Sequence, residues 1–173
     1  MYYLKMGILN ILSNHERGLD MSKSIESRLK ELGIDLPPVS HPAAQYTNYV
    51  IVNGMMFVSG KGPTGCPKGK LGSEFTTDEG YQYARETGIE VLAVLKDALG
   101  TLDKVKRVIK VQGFVNAEPT YEEHHKVLNG FSDLMYDVFN ERGVHARSVF
   151  GAVSVRDNLP IIVDSIFEVE EDS

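Results

Sequence analysis

A chain of 173 residues, 42% apolar and 24% charged, has the size and balance of one soluble domain able to bury a real core. Its net charge of −6 argues against a surface built to bind nucleic-acid phosphates. Its single cysteine, Cys66, leaves no partner for an internal disulfide and fits a reducing, cytoplasmic setting. No apolar run approaches the ~20 residues that a membrane-spanning helix needs. The Cys and His residues show no metal-site spacing, and the adjacent His124 and His125 would project to different sides of a helix.

Residues 1–20 read as an extension distinct from a single domain over 21–173. Gly7 to Leu12 is too short for a signal-peptide core and no small-residue cleavage site follows it. Ser24 then caps a short helix with Glu26 in its first turn, Ile25, Leu29 and Leu32 on one face and Gly33 at its end. Two apolar runs, at residues 49–52 and 55–60, flank Asn53-Gly54, the strongest short-range signal of a hairpin. The Gly/Pro/Lys loop at 60–72 lacks the spacing of a phosphate-binding loop, because no Gly-Lys-Ser/Thr opens a helix. Thr77 or Asp78 is expected to cap a long helix carrying Tyr81, Ala84, Gly88, Val91, Leu95 and Ala98, stopped by Gly100. A strand over 105–114 follows. Beyond Pro119 comes a second helix with Val127, Leu128, Phe131, Leu134, Met135, Val138 and Phe139 on its core face. Strands near 147–155 and 161–169 complete the chain before its acidic end.

This order predicts an α+β fold, one sheet with both long helices packed on the same face. The strands are apolar on both sides, so the other sheet face needs a cover. With no further helix available, the simplest cover is another copy of the chain. Within that plan two charges stand out. Arg147, in Gly143-Val-His-Ala-Arg-Ser-Val-Phe150, opens one apolar strand, and Asp164 interrupts the next. A charge in such a run must be paired, bind something or point outward. Arg147 is either a surface arginine at a strand entry or an anion anchor, since guanidinium matches a carboxylate bidentately.

Val58-Ser59-Gly60, the strand Lys110-Val-Gln-Gly-Phe-Val115 and Ala146-Arg147-Ser148 resemble the RidA/YjgF (endoribonuclease L-PSP) family, in a longer-chain subgroup, from about Met21 to Val169. The resemblance implies a chorismate-mutase-like fold and a homotrimer with clefts between subunits. It also implies hydrolysis of reactive 2-imino and 2-enamino acids to 2-oxo acids and ammonia without a cofactor. By the same resemblance, Arg147 clamps the substrate carboxylate, Tyr46, Ser59, Gly60 and Asn129 line the cleft, and the Val149 carbonyl holds the attacking water. The family's water-activating glutamate is missing. Aligned without gaps from Arg147 its position is Ile162, whereas a two-residue insertion at Asp157-Asn158-Leu159 would bring Asp164 there as the catalytic base. Lys61 stands where glutamine is commoner. Two readings stay open: an imine and enamine deaminase, and a non-catalytic trimer that binds small carboxylates. Ribonuclease activity is disfavoured by the acidic charge and by the lack of a His/His or His/Lys constellation.

Overall fold

The computed structural model describes residues 23–42 and 44–170; the proposed extension at 1–20 lies outside them. In chain order the elements are α1 (Ile25–Glu31), β1 (Tyr49–Val52), β2 (Met55–Lys61), α2 (Thr77–Leu99), β3 (Val105–Asn116), α3 (His124–Phe139), β4 (Ala146–Ala152) and β5 (Ile161–Val169). The five strands form one mixed sheet in the order β1-β2-β5-β3-β4. β3 and β4 are parallel, joined by the α3 crossover, and every other pairing is antiparallel. β5 thus fills the gap between β2 and β3, completing the sheet only when the chain ends.

Local chemistry explains most boundaries. Asn53 and Gly54 both have positive φ, 49° and 71°, as a two-residue hairpin turn requires. The N-cap of α2 is Thr76, one residue before the expected position. Its hydroxyl accepts from the Glu79 N–H while the Glu79 carboxylate accepts from the Thr76 N–H at 2.8 Å, a complete capping box. β4 ends at Ala152, short of 155, because the chain leaves the sheet through an exposed Val153 into a turn at Arg156–Asn158. Proline at 119 is followed by four residues before α3 begins at His124.

Both long helices cover one face of the sheet, where Met56, Val58, Val108, Val111, Val115, Val163 and Phe167 are buried against α2 and α3. β5 shows the two sides plainly. Ile161, Val163, Ser165, Phe167 and Val169 are buried, while Ile162, Asp164, Ile166 and Glu168 are only half-covered. The open face also carries Val50, Phe57 and Phe150, all exposed, and Phe150 stacks on Phe114 at 6.2 Å. It is not uniformly apolar: Lys110, Gln112, Ser148 and Asp164 form a polar belt across its middle.

Helices α2 and α3 approach so closely at Gly130 that a Cβ there would sit 2.0 Å from the Tyr81 carbonyl oxygen. Arg85–Asp137 at 3.0 Å and Tyr81–Asp133 at 2.9 Å bridge the same two helices. The short α1 is tied down by its acidic first turn. The Glu26 carboxylate accepts from Lys96 Nζ at 2.7 Å and from the Leu102 N–H at 3.0 Å. Burial disfavours its charge, but these donors outweigh that and hold its pKa at about 2. A carboxyl depressed in the fold stabilises it fully above the unfolded-state value and loses that contribution as pH falls through the folded value. Wild type should therefore melt higher than Glu26→Gln at pH 7, and the gap should close between pH 4.5 and 2. A gap that is the same at pH 7 and pH 2 would refute this role of the charge.

Candidate functional site

Arg147 sits on the edge strand β4, opposite Val111 of β3 and, through it, Ser165 of β5. Val111 and Ser165 are buried under the helices, so Arg147 projects to the helix side of the sheet at its margin. There the guanidinium meets α3. Nη1 donates to Ser132 Oγ at 3.0 Å, and Nη2 donates to Asn129 Oδ1 at 2.8 Å and to the His125 carbonyl at 3.4 Å. All three acceptors are neutral, and among the described residues no carboxylate pairs with Arg147. The side chain is held in one direction while its charge remains uncompensated, which is what an anion anchor needs. Asn129, which the family resemblance put in the cleft, is thus hydrogen-bonded to Arg147. Val149, two residues on, shares the Arg147 face and packs its side chain on the core.

Tyr46, Ser59 and Gly60 lie elsewhere. Ser59 Oγ donates to the Thr47 carbonyl at 2.7 Å, which fastens the exposed segment of Tyr46 alongside β2. From β2 to β4 is three strand spacings, roughly 14 Å at ~4.8 Å each. One protomer does not bring the two groups together. Nor does it bring Asp164 to Arg147: Asp164 pairs with Gln112 and lies on the open face, on the other side of the sheet. A ligand shared by Arg147 and any of these residues must be shared between copies.

The structure also separates the places of Ile162 and Asp164. A Cβ on Gly60 would meet Ile162 Cγ2 at 2.8 Å, so it is Ile162 that lies against the Ser59-Gly60 segment. Asp164 is one pair further along, in a recess of about 190 Å³ lined by Phe57, Lys110, Gln112 and Ile166. Burial pushes its carboxyl above the ordinary value, opposed by its own backbone N–H and by Lys110. Lys61 follows a bulge in β2 and is buried on the helix side, donating to Asn48 Oδ1 at 2.6 Å, with burial lowering its pKa. Among the described residues no group of three or more His, Cys, Asp or Glu is placed to hold a metal, and no helix is long and apolar enough to cross a membrane.

Two residues that sequence reasoning passed over join the Arg147 group. Ser132 is three residues after Asn129 on α3, and His145 is two residues before Arg147 on the chain entering β4. Their hydrogen bond is 3.1 Å long. Ser132 shares a helix face with Asn129 and His145 is two residues from Arg147, but it is the packing of α3 beside β4 that brings both to the anchor.

Residues 26–167 match the family model described as "YjgF/chorismate mutase-like, putative endoribonuclease". The chain belongs to the RidA/YjgF family. Protein TCP17 of Trypanosoma cruzi is 39% identical to it over 153 residues, 86% of this chain and 96% of that protein. Among solved structures, the fold is matched by a protein from Shewanella oneidensis MR-1 described as a "putative endoribonuclease". That match has 32% identity, a TM-score of 0.82, and covers 85% of this chain and 100% of the other. Atu1372 of Agrobacterium tumefaciens gives 36% identity and a TM-score of 0.79, covering 84% and 92%. The E. coli protein TdcF, solved with bound serine, shares the fold at 19% identity and a TM-score of 0.54, covering 80% and 98%.

Proposed function

We propose that this RidA/YjgF protein hydrolyses small 2-imino and 2-enamino acids to 2-oxo acids and ammonia in clefts between the copies of a homotrimer. The observation that carries the reading is Arg147, a cation oriented by three neutral acceptors and left without an acidic partner. A substrate carboxylate completes it. Water then needs positioning against an already electrophilic carbon, so placement supplies much of the rate. Edge-to-edge association of β4 with the β1–β2 margin of a neighbour would bring Tyr46, Ser59 and Gly60 to the same ligand. Asp164 is the acidic group of that neighbouring wall, one residue pair deeper than Ile162. The half-covered apolar residues of the open face would be buried by the same association, which needs at least ~1,000 Å² per pair. TdcF, which shares the fold, was solved with serine bound, a small amino acid with a carboxylate.

A second reading, a carboxylate-binding module without chemistry, is favoured by one observation: the apolar Ile162 beside Gly60. Enzymatically generated iminopropionate separates the two. Turnover above the buffer rate, together with pyruvate binding, supports the hydrolase; pyruvate binding without turnover leaves the module. Light scattering should report a trimer at micromolar concentration, and a monomer would remove the intersubunit cleft altogether.

A further inference from the structure

Beside Arg147, the proton positions of the Ser132–His145 pair follow from their partners. His145 Nδ1 lies 2.6 Å from the Gly143 carbonyl oxygen. A carbonyl only accepts, so Nδ1 carries the hydrogen. Burial, aided by the Arg147 charge and opposed by the Gly143 bond, keeps the imidazole pKa below its ordinary value, so the ring is neutral at pH 7. Nε2 is then a bare lone pair, and the Ser132 hydroxyl 3.1 Å away donates to it. The serine oxygen keeps a lone pair to accept Arg147 Nη1 at 3.0 Å. A serine inside a helix commonly turns its hydroxyl back to a carbonyl of the preceding turn; Ser132 bonds a neutral imidazole instead. The result is a serine–histidine pair, oriented by a backbone carbonyl, whose hydroxyl touches the anion anchor.

We propose that Ser132 and His145 are the proton-transfer pair of this site, the Ser132 hydroxyl relaying a proton between the ligand on Arg147 and His145 Nε2. The inference rests on the imine-hydrolysis reading and supplies the base that Ile162 cannot. Water adds to the iminium carbon, forming the C–O bond as the C=N pair moves to nitrogen. The water proton passes to Ser132 Oγ while the serine proton passes to Nε2. The proton then returns by the same route to the amino nitrogen. As the C–N bond breaks and ammonia leaves, the hydroxyl O–H bond breaks to form C=O, its proton passing through Ser132 to Nε2 and on to the ammonia, so that 2-oxo acid and ammonium leave with the pair restored. The charged neighbour acting on the imidazole is Arg147. From α3 it meets the Ser132 hydroxyl, and from the turn at Asn140–Gly143 the Gly143 carbonyl, while Arg142 is turned to the Val105 carbonyl at 2.9 Å. A proton stored next to Arg147 is readily given back.

The test uses the full chain with pyruvate and iminopropionate. His145→Gln should bind pyruvate within a few-fold of wild type and lose ~10²–10⁴-fold in kcat. Wild-type kcat/KM should fall on the acid side as His145 protonates, and that limb should vanish in His145→Gln. Ser132→Thr, which keeps the hydroxyl, should retain most of the rate that Ser132→Ala loses. A folded His145→Gln with wild-type rate and an intact acid limb overturns the proposal. If wild type shows no turnover at all, it is the hydrolase reading that fails, and the pair is then judged by NMR titration of His145. Pyruvate binding should raise the imidazole pKa through its carboxylate, and an unmoved pKa overturns the contact.

Discussion

Replacing Arg147 by alanine should abolish measurable binding of pyruvate and other 2-oxo acids while leaving the fold intact. The guanidinium makes no ion pair among the described residues, and its three hydrogen bonds go to neutral groups at the surface. Removing it therefore leaves no charge stranded in the core. What is lost is the ligand's partner. Each charge-assisted hydrogen bond to a carboxylate contributes about 1.5–3 kcal/mol, so losing a bidentate pair weakens binding by about two to four orders of magnitude. Arg147→Lys should recover only part of this, because an ammonium cannot present the planar fork. Calorimetric titration with pyruvate, beside a thermal melt of the same sample, checks both halves. A stable Arg147→Ala variant with unchanged affinity would place the anchor elsewhere.

The largest loss of stability should follow Gly130→Ala. The added methyl would meet the Tyr81 carbonyl oxygen at 2.0 Å, the Tyr81 carbonyl carbon at 2.9 Å and the Arg85 nitrogen at 3.2 Å. All are backbone atoms of α2, so no rotamer change relieves the clash. The helices must separate, loosening the packing of Leu134 on Gly88 and Val127 on Gly80 that closes the same interface. Alanine is about 1 kcal/mol better than glycine inside a helix, which offsets only part of this. Overpacking costs typically ~1–3 kcal/mol and occasionally more, and an immovable obstacle belongs at the top of that range. For a domain of this size ~3 kcal/mol lowers Tm by roughly 6–12 °C. Separation would also move Asn129 and Ser132 away from Arg147, so pyruvate affinity should fall with stability. A variant that melts within 2 °C of wild type would show that α2 and α3 can part at Gly130 at little cost.

The elements were legible because each is announced locally. Asn53-Gly54 marks the hairpin, Gly100 stops α2, and the apolar stripe of α3 repeats at helical spacing. Boundaries moved where a side chain decided them, as when Glu79 selected Thr76 over its neighbours as the cap. Arg147 stood out as well, since an arginine opening an apolar strand has few inexpensive roles, but the residues alone left it either a surface arginine or an anion anchor. The companions of Arg147 were only half legible. Asn129 came through resemblance, whereas Ser132 and His145 are ordinary residue types whose meaning appears when α3 is laid across β4.

By itself, the sequence determined the strand and helix content, the α+β class, the family and the arginine around which the candidate site is built. These depend on periodicity, turn residues and short motifs, all of which act within a few positions along the chain. Only the tertiary structure decided which groups share a side of the sheet. The register of β5 against β3 and β2 sets Ile162 by Gly60 and turns Asp164 away from Arg147. The strand order sets Ser59 and Tyr46 three strands from the anchor. Both follow from long-range pairing, in which a shift of one residue exchanges the two faces of a strand, and no local pattern records that choice.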